Sequence, residues 1–202
     1  MSKSLTITCA SLSSHDHLQF LPLTTIISGT NRAESLTSIV TQELHEYAVS
    51  THADTQIVDL AKIDMSFISP AMYKAYDPDS ALRQLQDESL LPAERFVILA
   101  PEYNGSIPGM LKLFLDAVSV HRYKETFSGK KVAMMGISTG RAGNLRGLDH
   151  LAAICAHVGM TVYPDKRPVS QVASFLNDSQ DAIADDAFRK SLHKWWDGFM
   201  AF

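Results

Sequence analysis

The chain has 202 residues, 46% of them hydrophobic, which is enough for one compact domain with a substantial buried core. Its 18 lysines and arginines against 22 aspartates and glutamates give a net charge of −4, and no run of like charge occurs. This balance argues against a nucleic-acid partner, because neutralising phosphates requires clustered Lys and Arg. No apolar run approaches the roughly 18 residues that span a bilayer, so we expect no membrane partner either.

The predicted elements alternate between strand and helix along the chain. Short β-branched or continuous apolar runs predict strands, and apolar residues recurring every three or four positions predict helices. In chain order we expect a strand at Leu23–Ile27, a helix at Leu36–Ala48, a strand at Thr55–Leu60, a helix at Ser80–Ser89, a strand at Arg95–Ala100, a helix at Pro108–Val120, a strand at Lys131–Ile137, a helix at Leu145–His157, a strand at Met160–Tyr163 and a C-terminal helix over Phe188–Phe199. Ser35 suits the N-cap of the first helix, and Pro108 suits the first turn of the third.

This alternation predicts an α/β fold, in which an open parallel sheet carries helices on both faces. Right-handed crossovers leave few topologies, and five strands fit the order 2-1-3-4-5. We predict one domain over residues 23–202. Residues 1–22 contain a short apolar stretch that threonines interrupt, so we expect a disordered or loosely docked extension rather than an export signal.

The two cysteines indicate a reducing, cytoplasmic setting. Cys9 and Cys155 lie far apart in sequence and form no CxxC pair, so neither a disulfide framework nor a zinc site is expected. Cys155 lies in the apolar stretch Leu151–Val158, which predicts an inert thiol in the core.

The first loop of interest, residues 28–35, joins the first strand to the first helix. In parallel sheets ligands bind beyond the carboxyl ends of the strands, and a helix N-terminus stabilises an anion there. The side chains that can donate hydrogen bonds to a phosphate are Thr30, Arg32, Ser35 and Thr37. Neither GxxxxGK[ST] nor GxGxxG is present, because Glu34 stands where the second glycine of the former should be. We expect Glu34 to point to solvent. A plain helix cap is the alternative interpretation of this loop.

The second loop runs from Pro101 to Lys112 and has two prolines and two glycines within nine residues. Such a stiff segment, with Tyr103 and Asn104 at its turn, can offer a flat surface and in-plane backbone donors to a heteroaromatic ring. An ordinary turn with Tyr103 packed on the domain is the alternative.

The third loop, residues 138–144, contains glycines that allow the backbone to approach a ligand closely. Arg141 or Arg146 is placed to meet a second anionic group. A surface loop without function explains this segment equally well.

Taken together, these segments resemble the NADPH-dependent FMN reductase family, a flavodoxin-like group that includes quinone, chromate and azo-dye reductases. The family's first loop reads roughly G-S-x-R-x-x-S-x-N, which Gly29–Thr37 matches with Thr30 for the serine and Thr37 for the asparagine. Its strongest signature, P-E-Y-N-G-S-x-P-G-x-L-K, is complete from Pro101 to Lys112. The resemblance covers about residues 23–170.

The resemblance implies a flavodoxin-like three-layer sandwich that binds FMN through three loops. It implies that the first loop binds the phosphate, that the second loop lines the isoalloxazine, and that the third loop approaches this ring from its other side. The implied contacts are Thr30, Arg32, Ser35, Leu36 and Thr37, then Pro101, Glu102, Tyr103, Asn104 and Gly105, then Ser138, Thr139, Gly140 and Gly143. We assign nothing after Ser170, nor to the loop at 69–79.

The implied activity is transfer of hydride from NADPH or NADH to FMN, which then reduces a small-molecule electron acceptor such as a quinone. Because the flavin carries the chemistry, we nominate no catalytic acid or base and no metal ligand. The resemblance also implies a homodimer or homotetramer. The Trp195/Trp196 face suits either that interface or the protein's own sheet.

Two other functions stay open. A flavodoxin-type carrier would bind FMN without NAD(P)H turnover, although such carriers usually dock through strongly acidic surfaces and −4 is mild. A regulatory protein that binds a flavin or nucleotide would perform no chemistry at all.

Overall fold

The computed structural model describes residues 22–64, 70–73 and 80–202. The predicted N-terminal extension therefore lies outside the described residues, apart from Pro22, and so does most of the 69–79 loop. The elements are β1 Thr24–Ser28, α1 Leu36–Ser50, β2 Thr55–Asp59, α2 Ala81–Leu85, β3 Arg95–Pro101, α3 Gly109–Val118, α4 Tyr123–Phe127, β4 Lys131–Ile137, α5 Leu145–His157, β5 Thr161–Val162, β6 Arg167–Val169 and α6 Asp186–Ala201. Turns of 3₁₀ helix occur at Pro70–Tyr73 and Val172–Phe175, and a π-helical turn at Gln86–Leu90.

The strands form one parallel sheet in the order β2-β1-β3-β4-β5, which confirms the predicted α/β topology. The last position is divided between two short strands. β5 pairs with the start of β4 at Lys131, and β6 pairs with its end at Met135–Ile137. Pro164 follows β5, as predicted. β6 was not predicted, because a three-residue strand with a central proline gives no strand signal in the sequence.

Two hydrophobic cores cover the two faces of the sheet. Side chains alternate along β3, so Phe96 and Ile98 pack in the core beneath α3 and α5, whereas Val97 and Leu99 pack in the core beneath α1 and α6. This gives the three-layer sandwich. The tryptophans of α6 are 2% and 1% exposed and belong to the second core, so both pack against the protein's own sheet.

Several local predictions can be compared with the helices directly. Ser35 caps α1, since its Oγ accepts a hydrogen bond from the N–H of Ser38 at 3.1 Å. α3 begins at Gly109, so Pro108 is its N-cap residue and not part of its first turn. The helix predicted over Ser80–Ser89 is α-helical only to Leu85. It then widens into the π-helical turn, where the buried Gln86 amide donates to the carbonyl oxygen of Val118, the last residue of α3.

Cys155 has the environment predicted for it. Its side chain is fully buried in the core beneath α5, and burial raises the pKa of its thiol to about 12.

In the described parts of the chain, no helix combines the length and apolar character needed to cross a bilayer.

Candidate functional site

The three loops that follow β1, β3 and β4 meet around one cleft of about 620 Å³ at the carboxyl end of the sheet. That volume is within the usual range for a small-molecule site. Thirteen of the fourteen predicted residues line this cleft: Thr30, Arg32, Ser35, Leu36, Thr37, Pro101, Glu102, Tyr103, Asn104, Gly105, Ser138, Thr139 and Gly140. The fourteenth, Gly143, lies outside the lining. A Cβ there would approach Pro168 to 2.8 Å, and its N–H donates to Ser138 Oγ at 3.0 Å.

The first loop is held in place by backbone and hydroxyl contacts. The N–H of Gly29 donates to the carbonyl oxygen of Leu99 at 2.8 Å, which ties the loop to β3. Thr30 is fully buried, and its Oγ1 accepts from the N–H of Arg32 at 3.2 Å. The N–H groups of Leu36 and Thr37, the first two of α1, have no intrahelical partner, and both residues line the cleft. This end of the cleft is therefore built to receive an anion.

Glu34 is exposed, as expected, but it also lines the cleft. Its backbone is left-handed, with φ of 53°. Arg32 is exposed, and no carboxylate among the described residues forms an ion pair with it. Its guanidinium is thus available to a bound anion at the same end of the cleft.

The second loop forms a tight two-residue hairpin turn. Tyr103 and Ser106 exchange backbone hydrogen bonds of 3.0 Å in both directions, and Asn104 and Gly105 between them have φ of 52° and 74°. Positive φ at both central residues is the type I′ geometry, for which Asn-Gly is the favoured pair. The Asn-Gly dipeptide is the local sequence signal that could have predicted this hairpin. The hairpin uses the N–H of Tyr103, so among the described residues it is the N–H groups of Asn104 and Gly105 that stay free at the cleft.

The third loop is held by hydrogen bonds of Ser138 and by contacts with the segment that follows β4. Ser138 Oγ donates to the carbonyl oxygen of Gly140 at 2.9 Å, and the same carbonyl accepts from the N–H of Gln171 at 2.8 Å. Ser138 in turn donates its N–H to Val169 of β6. The missed strand β6 therefore supports one wall of the cleft.

Asn144, which the sequence argument did not select, joins the second and third loops. It is 1% exposed, its φ is 59°, and its Nδ2 donates to the carbonyl oxygens of Ala100 and Pro101 at 3.0 and 3.1 Å. Its N–H reaches Glu102 Oε2 at 3.3 Å. The available signal was an Asn directly before a helix, since Asn tolerates left-handed backbone and favours the N-cap.

Two further residues of the cleft wall, Val172 and Gln180, come from the segment to which nothing was assigned. Gln180 has a φ of 55° and is held in a turn by Asn177, whose carbonyl oxygen accepts the Gln180 N–H at 2.9 Å. No local motif marks Gln180, because only the folding of the segment after β6 brings it to the cleft.

The family model described as NADPH-dependent FMN reductase matches residues 22–173. The chain belongs to this family. It is accordingly an oxidoreductase that uses FMN and a nicotinamide nucleotide, and this confirms the resemblance found in the three loops.

Named relatives agree with the family assignment. An NAD(P)H-dependent FMN reductase of Pseudomonas aeruginosa is 30% identical over 171 residues, which cover 83% of this chain and 88% of that protein. A 2-hydroxy-1,4-benzoquinone reductase of a Burkholderia species is 27% identical over 153 residues, 72% of this chain and 84% of its own.

Solved structures extend the likeness to the fold. FerB, a flavoenzyme NAD(P)H:(acceptor) oxidoreductase from Paracoccus denitrificans, has a TM-score of 0.74 at 19% identity, covering 90% of this chain and 96% of its own. A flavodoxin from the domain Archaea has a TM-score of 0.55 at 13% identity, covering 90% and 97%. At these identities the likeness shows the flavodoxin-like fold.

The residues of this FMN reductase's cleft fit the cofactor of its family. One end offers helix N–H groups, hydroxyls and a guanidinium, which is the donor set that a phosphate requires. The hairpin offers a flat surface with two free N–H groups. The hydroxyl of Tyr103 is buried without a partner among the described residues, and a buried donor left unpaired in a binding site suggests that a ligand completes it.

Proposed function

We propose that this reductase transfers hydride from NADPH or NADH to FMN held in the cleft and passes the electrons on to a quinone or another small acceptor. The observation that carries the proposal is the convergence of three chemically different loops on one cleft. FMN supplies the redox chemistry, because its N5 accepts hydride and its ring delivers electrons to an acceptor.

The chain's own residues bind and orient. The side chains of Thr30, Arg32, Ser35 and Thr37 and the first N–H groups of α1 would hold the phosphate. The hairpin at Tyr103–Ser106 would support the ring, with the N–H groups of Asn104 and Gly105 donating to its polar edge. Ser138, Thr139 and Gly140 would approach the ring from the third loop. Gly143 would act indirectly, by fixing Ser138 through its N–H.

No acid or base is needed from the protein in this scheme. With FMN bound, the fixed N–H donors of Asn104 and Gly105 would stabilise negative charge on the ring, and the rigid cleft would orient the ring toward the nicotinamide. Thr139, Gly140 and Gln180 of the cleft wall are exposed, so the cleft is accessible to solvent, which suits small planar acceptors of several kinds.

The visible spectrum of the purified protein tests the proposal. We expect a yellow protein that loses its colour on anaerobic addition of NADPH and oxidises NADPH in the presence of a quinone. A coloured protein without NADPH turnover would support the electron-carrier alternative. A protein that binds flavin but is neither bleached by NADPH nor active would support the regulatory alternative.

We further propose that the protein assembles as a homodimer or homotetramer and works in the cytoplasm. The proposal follows from the assembly that the family resemblance implies, and Leu113 of α3 and Leu145 of α5, which are 39% and 55% exposed, are candidate contacts. Light scattering of the purified protein checks the assembly, and a monomeric mass would contradict it.

A further inference from the structure

The eight arginines of this chain fall into groups that differ in their hydrogen bonds, their exposure and their place in the fold. Four of the eight donate side-chain hydrogen bonds to oxygens of the chain: Arg83, Arg122, Arg167 and Arg189. Arg95 is half-buried at the amino end of β3. The three exposed arginines without a side-chain partner among the described residues are Arg32, Arg141 and Arg146. All three belong to the loops and the helix start at the cleft end of the sheet, whereas Arg95 lies at the opposite end and the exposed lysines Lys124, Lys190 and Lys194 lie on α4 and α6.

Arg146, in the first turn of α5, lies at the rim of the cleft. Its Nη1 is 3.7 Å from the position that a Cβ on Gly105 would occupy, so the guanidinium lies beside the hairpin turn. Arg141 directly follows Gly140, which lines the cleft from the third loop. Neither arginine belongs to the cleft wall itself. Arg146 flanks the opening beside the second loop, and Arg141 follows the last residue of the third loop that lines the cleft.

The nearest acidic residue on α5 does not neutralise Arg146. Asp149, one turn later, is hydrogen-bonded to Lys166, and this contact lowers the pKa of Asp149 below its usual value. The carboxylate of Glu102 accepts the N–H of Asn144 instead. Arg146 is therefore an exposed cation beside a ligand cleft, with no carboxylate of the described chain paired to it.

We propose that Arg146 and Arg141 bind the phosphates of the reducing dinucleotide outside the cleft, and that Arg146 contacts the 2′-phosphate of NADPH and makes the enzyme prefer NADPH to NADH. This inference rests on the proposed function. FMN carries one phosphate, for which Arg32 and the α1 N-terminus suffice. The nicotinamide ring must reach into the cleft, so the pyrophosphate and the adenosine half extend over the rim where the two arginines lie. Guanidinium groups suit this task, because they bind phosphate oxygens bidentately.

Steady-state kinetics with NADPH, NADH and reduced nicotinamide mononucleotide measure how much each part of the dinucleotide contributes to kcat/KM. NADH lacks the 2′-phosphate, and reduced nicotinamide mononucleotide lacks the whole adenosine half. We expect the wild type to prefer NADPH to NADH in kcat/KM by about tenfold, the effect of one charge-assisted contact. Arg146→Gln should remove this preference by lowering kcat/KM for NADPH about tenfold, with little change for NADH and none for the mononucleotide. Arg141→Gln should lower kcat/KM for both dinucleotides and spare the mononucleotide.

Lys194→Gln is the matched control, because it removes one exposed positive charge from α6, on the opposite face of the sheet. It should leave all three reductants unchanged. Calorimetric titration of the FMN-loaded protein with adenosine 2′,5′-bisphosphate gives a readout independent of turnover. Arg146→Gln should weaken its binding about tenfold and leave the binding of 5′-AMP unchanged.

The inference is overturned if the wild type prefers NADH, or if Arg146→Gln leaves the NADPH/NADH ratio unaltered. Equal losses for the mononucleotide and the dinucleotides would also overturn it, since they would indicate a disturbed cleft. A NADPH/NADH ratio that stays unaltered while the assembly mass of the variant changes would overturn it as well, because Arg146 would then be an intersubunit contact. The proposed function survives each of these results if the wild type is yellow and oxidises NAD(P)H. The proposed function itself is contradicted if the wild type is not yellow and does not oxidise NAD(P)H.

Discussion

Substituting Asn144 tests whether the second and third loops form one rigid unit. The Asn144 side chain is almost completely buried, and its Nδ2 donates to the carbonyl oxygens of Ala100 and Pro101 at the end of β3. Its Oδ1 is buried without a partner among the described residues, so the amide acts here only as a donor. Three replacements separate its contributions: glycine, alanine and aspartate.

The expected magnitudes follow from these contacts. Asn144→Gly removes two hydrogen bonds of about 1 kcal/mol each, so we expect a loss of about 2 kcal/mol in the free energy of unfolding. Asn144→Ala loses the same bonds and keeps a Cβ at φ of 59° without the polar side chain that lets Asn tolerate left-handed backbone, so it should cost about 1 kcal/mol more than glycine. Asn144→Asp keeps the shape but turns a carboxylate oxygen toward two carbonyl oxygens in a buried site, so it should be the most destabilising of the three, by more than about 3 kcal/mol.

Urea denaturation of the flavin-free variants measures the three free energies, and fluorescence titration measures FMN affinity in parallel. The predicted order of stability is wild type, then glycine, then alanine, then aspartate. FMN affinity should fall in all three variants, because the loops on either side of the proposed ring site are no longer tied together. If aspartate is tolerated as well as glycine, Nδ2 does not make the two hydrogen bonds. If FMN affinity is unchanged while stability falls, the loops do not act as one unit.

The remaining predictions concern the phosphate loop, the end of β4 beneath the third loop and the core thiol. Arg32→Ala should weaken FMN binding by about 1.5–3 kcal/mol in equilibrium dialysis, and an unchanged affinity would exclude the first loop as the phosphate site. Gly136→Ala should destabilise the fold by about 1–3 kcal/mol in urea, because its Cβ would lie 2.2 Å from a carbonyl oxygen of the third loop. Gly109→Ala, with open space around its Cβ, is the control and should be neutral or stabilising. In a Cys9→Ser background, Cys155 should resist a disulfide reagent at pH 8 until the protein unfolds, since its thiol is buried and its pKa is about 12.

The fold could be predicted because its signals are local. Each of the long strands is a continuous apolar run, as expected where helices cover both faces of a parallel sheet. The failures come from contacts between residues far apart in sequence. The split of the last strand position depends on Arg167–Val169 pairing with β4, and the π-helical turn depends on the buried Gln86 amide reaching the end of α3. Neither contact leaves a periodic signal, because each is decided by tertiary packing.

The site could be predicted to the extent that its residues lie in consecutive motifs. Every predicted residue except Gly143 lines the cleft. Gly143 packs against Pro168, and in sequence such a glycine looks the same as one that approaches a ligand. Asn144 and Gln180 were missed for opposite reasons. Asn144 had a recognisable position before a helix but no motif, whereas Gln180 reaches the cleft only through the fold of the segment after β6.

The backbone around the cleft indicates that the site is formed before any ligand arrives. Seven non-glycine residues of the described chain have left-handed φ, and four of them line the cleft or join its loops: Glu34, Asn104, Asn144 and Gln180. Each such conformation costs on the order of 1–3 kcal/mol, so it persists only where the surrounding structure determines it. Hydrogen bonds do so at three of the four: the hairpin at Asn104, the two carbonyls at Asn144 and the Asn177 turn at Gln180. Because the fold already stabilises these left-handed conformations, FMN binding should order the cleft only slightly further. Hydrogen exchange should therefore show the three loops nearly as protected without FMN as with it, and loops that become protected only on flavin binding would refute a preformed site.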